Sequence, residues 1–242
     1  MTSAPRDLFL CLDTSTPTAR VAILDGDGAV VFASEATAER HSGHVMALCA
    51  EALRAAGRAP AELAGIACGG GPGSFTGLRV GLAAAKGLAL PTGVPLFVVS
   101  SLEALALDIL EAWVGNAVTA VPCLDAGKGE VYAAGYLADG ERLVREVAPS
   151  VRLTPPSLSA WLVELAGAAA SPTLVLAGNG LERHRAALGD GRFETAVVVG
   201  PTAVSVGRLA LLQRARGEAA DLATAVPLYG RPPDITVKRQ PG

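Results

Sequence analysis

The sequence predicts an α/β protein built from two similar halves, and three observations predict it. Short apolar runs bounded by turn residues alternate along the chain with longer segments of helical periodicity. The tripeptide Cys11-Leu12-Asp13 returns as Cys123-Leu124-Asp125, each copy closing an apolar run. Each copy then leads through a polar turn into another apolar run, so a unit of strand, aspartate, turn and strand opens each half. The halves meet near Ser100-Ser101, giving an N-terminal subdomain over 1–101, a C-terminal subdomain over 102–225 and a tail over 226–242.

In the first half, Leu8 to Leu12 is the first strand, and Thr14-Ser15-Thr16-Pro17-Thr18 turns the chain into a second from Val21 to Leu24. Asp25-Gly26-Asp27-Gly28 makes a hairpin into a third strand, Val30 to Ala33. Between Ser42 and Ala56, the residues Val45, Leu48, Cys49, Ala52 and Leu53 keep the spacing of one helical face, and Gly57 stands where that helix stops. Leu63 to Cys68 is a buried strand, Gly69 to Gly77 a glycine-rich loop, Leu78 to Leu90 a helix and Pro95 to Val99 a strand. Ser100-Ser101 with Glu103 caps the helix that comes next.

The second half opens with strands at Val118 to Leu124 and Val131 to Leu137, joined by Ala126-Gly127-Lys128-Gly129-Glu130. A helix at Leu158 to Ala168, a strand at Thr173 to Ala177 and a turn at Gly178-Asn179-Gly180 succeed them. A helix from Leu181 to Leu188, a strand over Ala196 to Val199 and a helix from Ala203 to Arg216 complete the predicted elements.

Half of the 242 residues are hydrophobic and 18% are charged, which suits a chain with a substantial core and excludes a disordered one. A net charge of -3 supplies no long-range attraction to phosphate backbones, so contact with nucleic acid is expected only through a partner or a local patch. Arg231, Lys238 and Arg239 near the C-terminus are read as a solvated tail, with contact to RNA phosphates as the competing reading. Cys11, Cys49, Cys68 and Cys123 lie far apart and mostly inside apolar runs, as reduced core residues do. No apolar run approaches a membrane span and no leader pattern stands at the start, so the expected location is cytoplasmic, with no membrane contact.

Two features invite a phosphate-binding reading. The loop Gly69-Gly70-Gly71-Pro72-Gly73-Ser74-Phe75-Thr76-Gly77 sits between a strand and a helix, where backbone N–H groups can face an anion. It matches neither the P-loop nor the dinucleotide spacing, and the competing reading is a tight turn in which Ser74 or Thr76 caps the helix. Asp13 with Thr14, Ser15 and Thr16 places a carboxylate among hydroxyls at a strand end, suited either to a hydrated divalent cation or to organising its own turn. Asp125, near Lys128 and Glu130, carries the same pair of readings. His41 and His44 are too few to hold a metal, and His184 lies in the other half. No catalytic triad can be assembled from the spacing, so neither a catalytic residue nor a metal site is assigned.

The stretch Gly71-Pro72-Gly73-Ser74-Phe75-Thr76-Gly77-Leu78-Arg79-Val80-Gly81, with Ala84, Lys86-Gly87-Leu88 and Ser100-Ser101-Leu102-Glu103, resembles the signature of the TsaB (YeaZ) family. Leu12-Asp13-Thr14-Ser15, His41-Ser42, Asp125-Ala126, Gly129-Glu130-Val131-Tyr132 and Pro227-Leu228-Tyr229-Gly230-Arg231 resemble it in the same order, so the likeness covers nearly the whole chain. The resemblance implies an actin/Hsp70-like (ASKHA) fold of two RNase H-like halves. It also implies an accessory role in forming threonylcarbamoyladenosine at tRNA position 37, beside a catalytic TsaD-like subunit and a TsaE-like ATPase. The chain lacks the HxxxH metal motif of the TsaD relatives, and Ser15 stands where phosphate-binding hairpins of this superfamily usually carry glycine.

The resemblance carries expectations about partners and sites as well. Pairing is expected through the first half, and the helix from Ser42 to Ala56 is the candidate interface, with His41, Val45, Met46, Cys49 and Leu53 as its residues. The competing reading places those apolar residues in the core. Asp13, Ser15, Gly71, Gly73, Ser74, Thr76 and Asp125 form a candidate vestigial nucleotide or phosphate site. The chain itself is expected to need no cofactor, ATP and magnesium being used by the complex, and tRNA is reached only through the complex; a homodimer is a further expectation. The alternatives are a glycoprotease-like metallopeptidase and an ASKHA-type phosphotransferase.

Overall fold

The computed structural model describes residues 7–37, 41–140, 143–168, 173–188 and 193–228. Its first half contains β1 (Leu8–Asp13), β2 (Thr18–Asp25), β3 (Val30–Thr37), α1 (His41–Ala56), β4 (Gly65–Gly71), α2 (Phe75–Thr92) and β5 (Leu96–Ser100). The second contains α3 (Ser101–Ala112), β6 (Thr119–Gly127), β7 (Glu130–Asp139), β8 (Leu143–Leu153), α4 (Pro155–Ala168), β9 (Leu174–Ala177), α5 (Asn179–Leu188), β10 (Glu194–Thr195) and α6 (Ala203–Ala215).

The first sheet runs β3-β2-β1-β4-β5 and the second, taken from its other end, β8-β7-β6-β9-β10. In each, the first three strands in chain order pair antiparallel and the last two join parallel beside the first. The two sheets therefore share one topology, and the molecule has the actin/Hsp70-like arrangement of two RNase H-like lobes. The aspartate pair marks the repeat: Asp13 ends β1, and Asp125 lies near the end of β6.

Among the described residues, three apolar clusters hold these layers. On the outer face of the first sheet, Leu10, Leu12, Ile23 and Ile66 pack under α1 and α2. On the outer face of the second, Val121, Cys123, Leu174 and Leu176 pack under α4 and α5. The largest cluster lies between the sheets and is filled by α3 and α6. These two helices are exchanged: α3 packs against β6, β7 and β8, whereas α6 reaches back to β1, β2, β4 and β5. The α6 helix, late in the chain, thus completes the lobe that the first strands begin.

The structure corrects several element boundaries. The α2 helix starts at Phe75, three residues before Leu78, because the Ser74 hydroxyl accepts from the Gly77 N–H and caps it there. The α5 helix starts at Asn179 and not at Leu181. The strand expected over Ala196 to Val199 is displaced to Glu194–Thr195, and Val197 is fully exposed. The β8 strand is an addition to the elements that the sequence pattern predicts. Among the described strands it pairs only with β7, through an irregular register, and it carries Arg145, Glu146, Pro149 and Arg152, so no clean alternation marks it.

Candidate functional site

The turn after β1 is closed off from solvent. Asp13, Thr14, Ser15 and Thr16 are 0%, 0%, 2% and 1% exposed. Asp13 Oδ1 accepts from the Ser15 N–H at 2.8 Å and from the Ser15 hydroxyl at 2.7 Å. Its Oδ2 accepts from the Ser101 hydroxyl, which itself accepts from the Gly71 N–H at 3.2 Å. Burial raises the Asp13 carboxyl above the ordinary carboxylate range, with the bonds from Ser15 and Ser101 and the nearby Arg20 opposing that rise.

The glycine-rich loop is what makes this enclosure possible. A Cβ on Gly69 would stand 1.9 Å from Asp13 Oδ2, one on Gly73 would stand 2.5 Å from the Ser15 carbonyl, and one on Gly77 would stand 2.0 Å from the Thr14 carbonyl. One helical turn on, a Cβ on Gly81 would meet the Thr14 hydroxyl at 2.2 Å. The Ser74 N–H donates to the Ser15 carbonyl at 2.8 Å, and the Thr14 hydroxyl donates to the Gly77 carbonyl at 2.8 Å. On the other side, the Leu228 N–H donates to the Gly70 carbonyl at 2.6 Å, and the Leu228 side chain lies over Gly70. The missing side chains admit the protein's own backbone, and the turn after β1 packs into the loop.

Of the residues expected at a nucleotide site, Asp13, Ser15, Gly71, Gly73 and Ser74 thus converge in one network. Thr76 does not join them; it is exposed in the first turn of α2. Asp125 belongs to the other lobe and to a different network. It accepts from Arg183 at 2.7 Å and from the Gly127 N–H at 3.1 Å, while its own N–H donates to Asn179 Oδ1. His184 Nε2, buried and without a hydrogen-bond partner, lies 4.0 Å from Asp125 Oδ1.

Burial also corrects the α1 interface. Val45, Cys49 and Leu53 are 0%, 1% and 8% exposed and belong to the core between α1 and the first sheet, because their spacing places them on the inward stripe. Met46 is 43% exposed and faces outward. The His41 side chain lies outside the described residues, as do Arg231, Lys238 and Arg239.

Sequence reasoning missed Asp108. It lies within the apolar helix α3 and accepts from the Thr202 N–H, the Thr202 hydroxyl and the Ser205 hydroxyl at 2.8, 2.7 and 2.6 Å. An acid set inside Leu105-Ala106-Leu107-Asp108-Ile109 was the available signal, since such a residue needs donors when packed against another element.

Fold and site together define an actin-like two-lobed protein whose glycine loop is occupied by its own strand turn. A family model described as TsaD, tRNA N6-adenosine threonylcarbamoyltransferase, matches residues 32–154. The Bacillus subtilis tRNA threonylcarbamoyladenosine biosynthesis protein TsaB is 31% identical over 92% of this chain and 93% of its own length. The Escherichia coli protein of the same name is 36% identical over 54% of this chain, and there the match spans only 55% of the relative's length. YeaZ from Pseudomonas aeruginosa superposes with a TM-score of 0.75 at 27% identity, over 92% of this chain and 99% of that one. The chain belongs to the TsaB family, within the wider group that the TsaD model describes.

Proposed function

We propose that this chain is a non-catalytic subunit of the machinery that forms N6-threonylcarbamoyladenosine at tRNA position 37. The names of its relatives support the pathway. The observation that carries the non-catalytic role is the sealed turn: Asp13 has its acceptors occupied by Ser15 and Ser101 and is 0% exposed, so it offers nothing to a substrate or to a hydrated metal. Among the described residues, no three potential ligands come together to hold a metal ion. In this reading ATP and magnesium are used elsewhere in the assembly, by a TsaE-like ATPase and a TsaD-like catalytic subunit, and this chain meets tRNA only through them.

The pairing surface in this reading is the outward face of α1 and α2. These helices lie side by side on the first sheet. Their exposed residues include the small Ala47, Ala50, Ala83 and Gly87 and the apolar Met46 and Leu90, beside the charged Glu51, Arg54 and Arg79. Small residues let two helix pairs approach closely, and a structurally related subunit offers a matching pair around a pseudo-twofold axis. A second copy of this chain is the other occupant such a face accepts. The assembly is proposed to work in the cytoplasm; among the described residues, no helix is long and apolar enough to cross a membrane.

Reconstitution tests the proposal. Purified TsaD-like and TsaE-like proteins with the enzyme that makes threonylcarbamoyl-adenylate are expected to modify tRNA only when this chain is added, and this chain alone is expected to modify none. Equal modification with and without it would overturn the role.

A further inference from the structure

We propose that Asp108, Thr202 and Ser205 form a latch that fixes the angle between the two lobes, so that the chain meets its partners as one rigid body. The two lobes touch mainly through the exchanged helices α3 and α6 and the apolar cluster around them. That contact is rich in small residues: Ala104, Ala106, Ala203, Gly207 and Ala210 all lie in or beside it. Apolar attraction has no preferred direction, so smooth helix faces of this kind hold two bodies together without fixing how far one slides past the other.

Direction comes from Asp108. It projects from the middle of α3, on the chain segment that packs against the second sheet, and receives three hydrogen bonds from the first turn of α6, which packs against the first sheet. One donor is the Thr202 backbone N–H, and the other two are hydroxyls at Thr202 and Ser205. Bonds to a carboxylate are short and geometrically demanding, so a shift of one helix along the other by a fraction of a turn would strand a charge in a partly buried position. Thr202 also caps α6 through the Ser205 N–H at 3.1 Å, which ties the latch to the helix terminus itself. One turn further along, Glu111 of α3 pairs with Arg208 of α6 and repeats the tie at the surface. Domain closure by shear slides packed helices past one another, and α3 and α6 are the helices that join these two lobes. The latch opposes that motion.

The test measures the distance between spin labels on opposite flanks of the molecule, at Arg54→Cys in α1 and Val163→Cys in α4. The native cysteines are buried and are expected to stay unlabelled in the folded chain. The wild-type chain is expected to give one narrow distribution. Thr202→Val combined with Ser205→Ala removes two donors without removing apolar volume and is expected to broaden or shift it, whereas Thr202→Ser, which keeps the hydroxyl, is expected to leave it narrow. Amide exchange in the β1 and β6 strands, unchanged in the double variant, separates loss of the latch from loss of the fold. Should the double variant fail to fold, Arg208→Ala removes only the surface tie and is expected to broaden the distribution in the same sense. A wild-type distribution that is already broad, or variants that superimpose on a narrow wild type, would overturn the latch.

Discussion

The Ser101 hydroxyl donates to Asp13 Oδ2 at 2.9 Å across 88 residues of chain. Ser101 is the first residue of α3 and Asp13 the last of β1, so this one bond joins the start of the interlobe helix to the central strand of the first sheet. With the Gly71 N–H bound to the same hydroxyl, three elements meet at a single buried carboxylate. That convergence makes the carboxylate a point where a single substitution is felt in all three.

Asp13→Ala removes an acceptor that serves the Ser15 N–H, the Ser15 hydroxyl and the Ser101 hydroxyl. Leaving such donors buried without partners is expected to cost about 3 kcal/mol of folding stability. Asp13→Asn keeps an acceptor and the shape, and is expected to stay folded. Chemical denaturation of the two variants checks the contrast, and equal stabilities would contradict it.

Stability around Asp13 should also depend on pH. Its carboxyl is raised above 3.8 in the folded chain, mainly by burial. A raised acid contributes stability that is fully present below the unfolded value of 3.8 and is lost as the pH climbs through the folded value. The Asn variant cannot ionise at this site. The stability of Asp13→Asn relative to wild type should therefore rise as the pH is taken from about 4 to about 7. Denaturation midpoints across that range measure it, and a constant difference would mean that burial does not set the titration of this group.

Glycine positions along α2 should split into two kinds. Gly77→Ala drives a methyl against the Thr14 carbonyl and is expected to cost about 2 to 3 kcal/mol through overpacking. Gly87 has nothing within 4 Å of its would-be Cβ, so Gly87→Ala should stabilise the helix by about 0.5 to 1 kcal/mol. Because Gly87 lies on the proposed pairing face, the same methyl should weaken association with the catalytic subunit. Thermal melts and binding titrations on the two variants separate these effects.

Val45 and Met46 are neighbours with opposite expectations. Val45→Asp places a charge in the sheet-facing core and should prevent folding. Met46→Asp should leave the melt within about 0.5 kcal/mol of wild type while weakening pairing. A folded Met46→Asp that pairs as well as wild type would move the interface elsewhere.

Thiol chemistry gives a simple check on the core. Burial pushes the Cys49 and Cys123 thiols up to about 12, and those of Cys11 and Cys68 rise for the same reason. All four should react with a disulfide reagent only as fast as the chain opens, and at once in denaturant. Rapid labelling of any one in the native protein would contradict its placement.

Much of this architecture is legible in the sequence because it is local. The repeat of Cys-Leu-Asp at strand ends, the hairpin turns and the inward stripe of α1 are all short-range patterns, and each corresponds to an element of the structure. The illegible part is non-local. Nothing between Ala203 and Ala215 says that this helix returns to the first sheet, and the edge position of β8 relieves it of the alternation that would mark it. The glycine loop shows the limit most clearly. Its composition fits a cradle for an anion or a cradle for another stretch of backbone equally well, and only the fold reveals Thr14 and Ser15 inside it.

The most direct measurement is the initial rate of threonylcarbamoyl transfer in the reconstituted system with Asp13→Asn in place of the wild-type chain. If Asp13 is part of a self-filled structural turn, the rate should stay within about twofold of wild type, because no reacting group touches it. A loss of about 100-fold or more, with fold and pairing intact, would mean that Asp13 handles a proton, a metal or a phosphate in the reaction, and the non-catalytic account would be wrong.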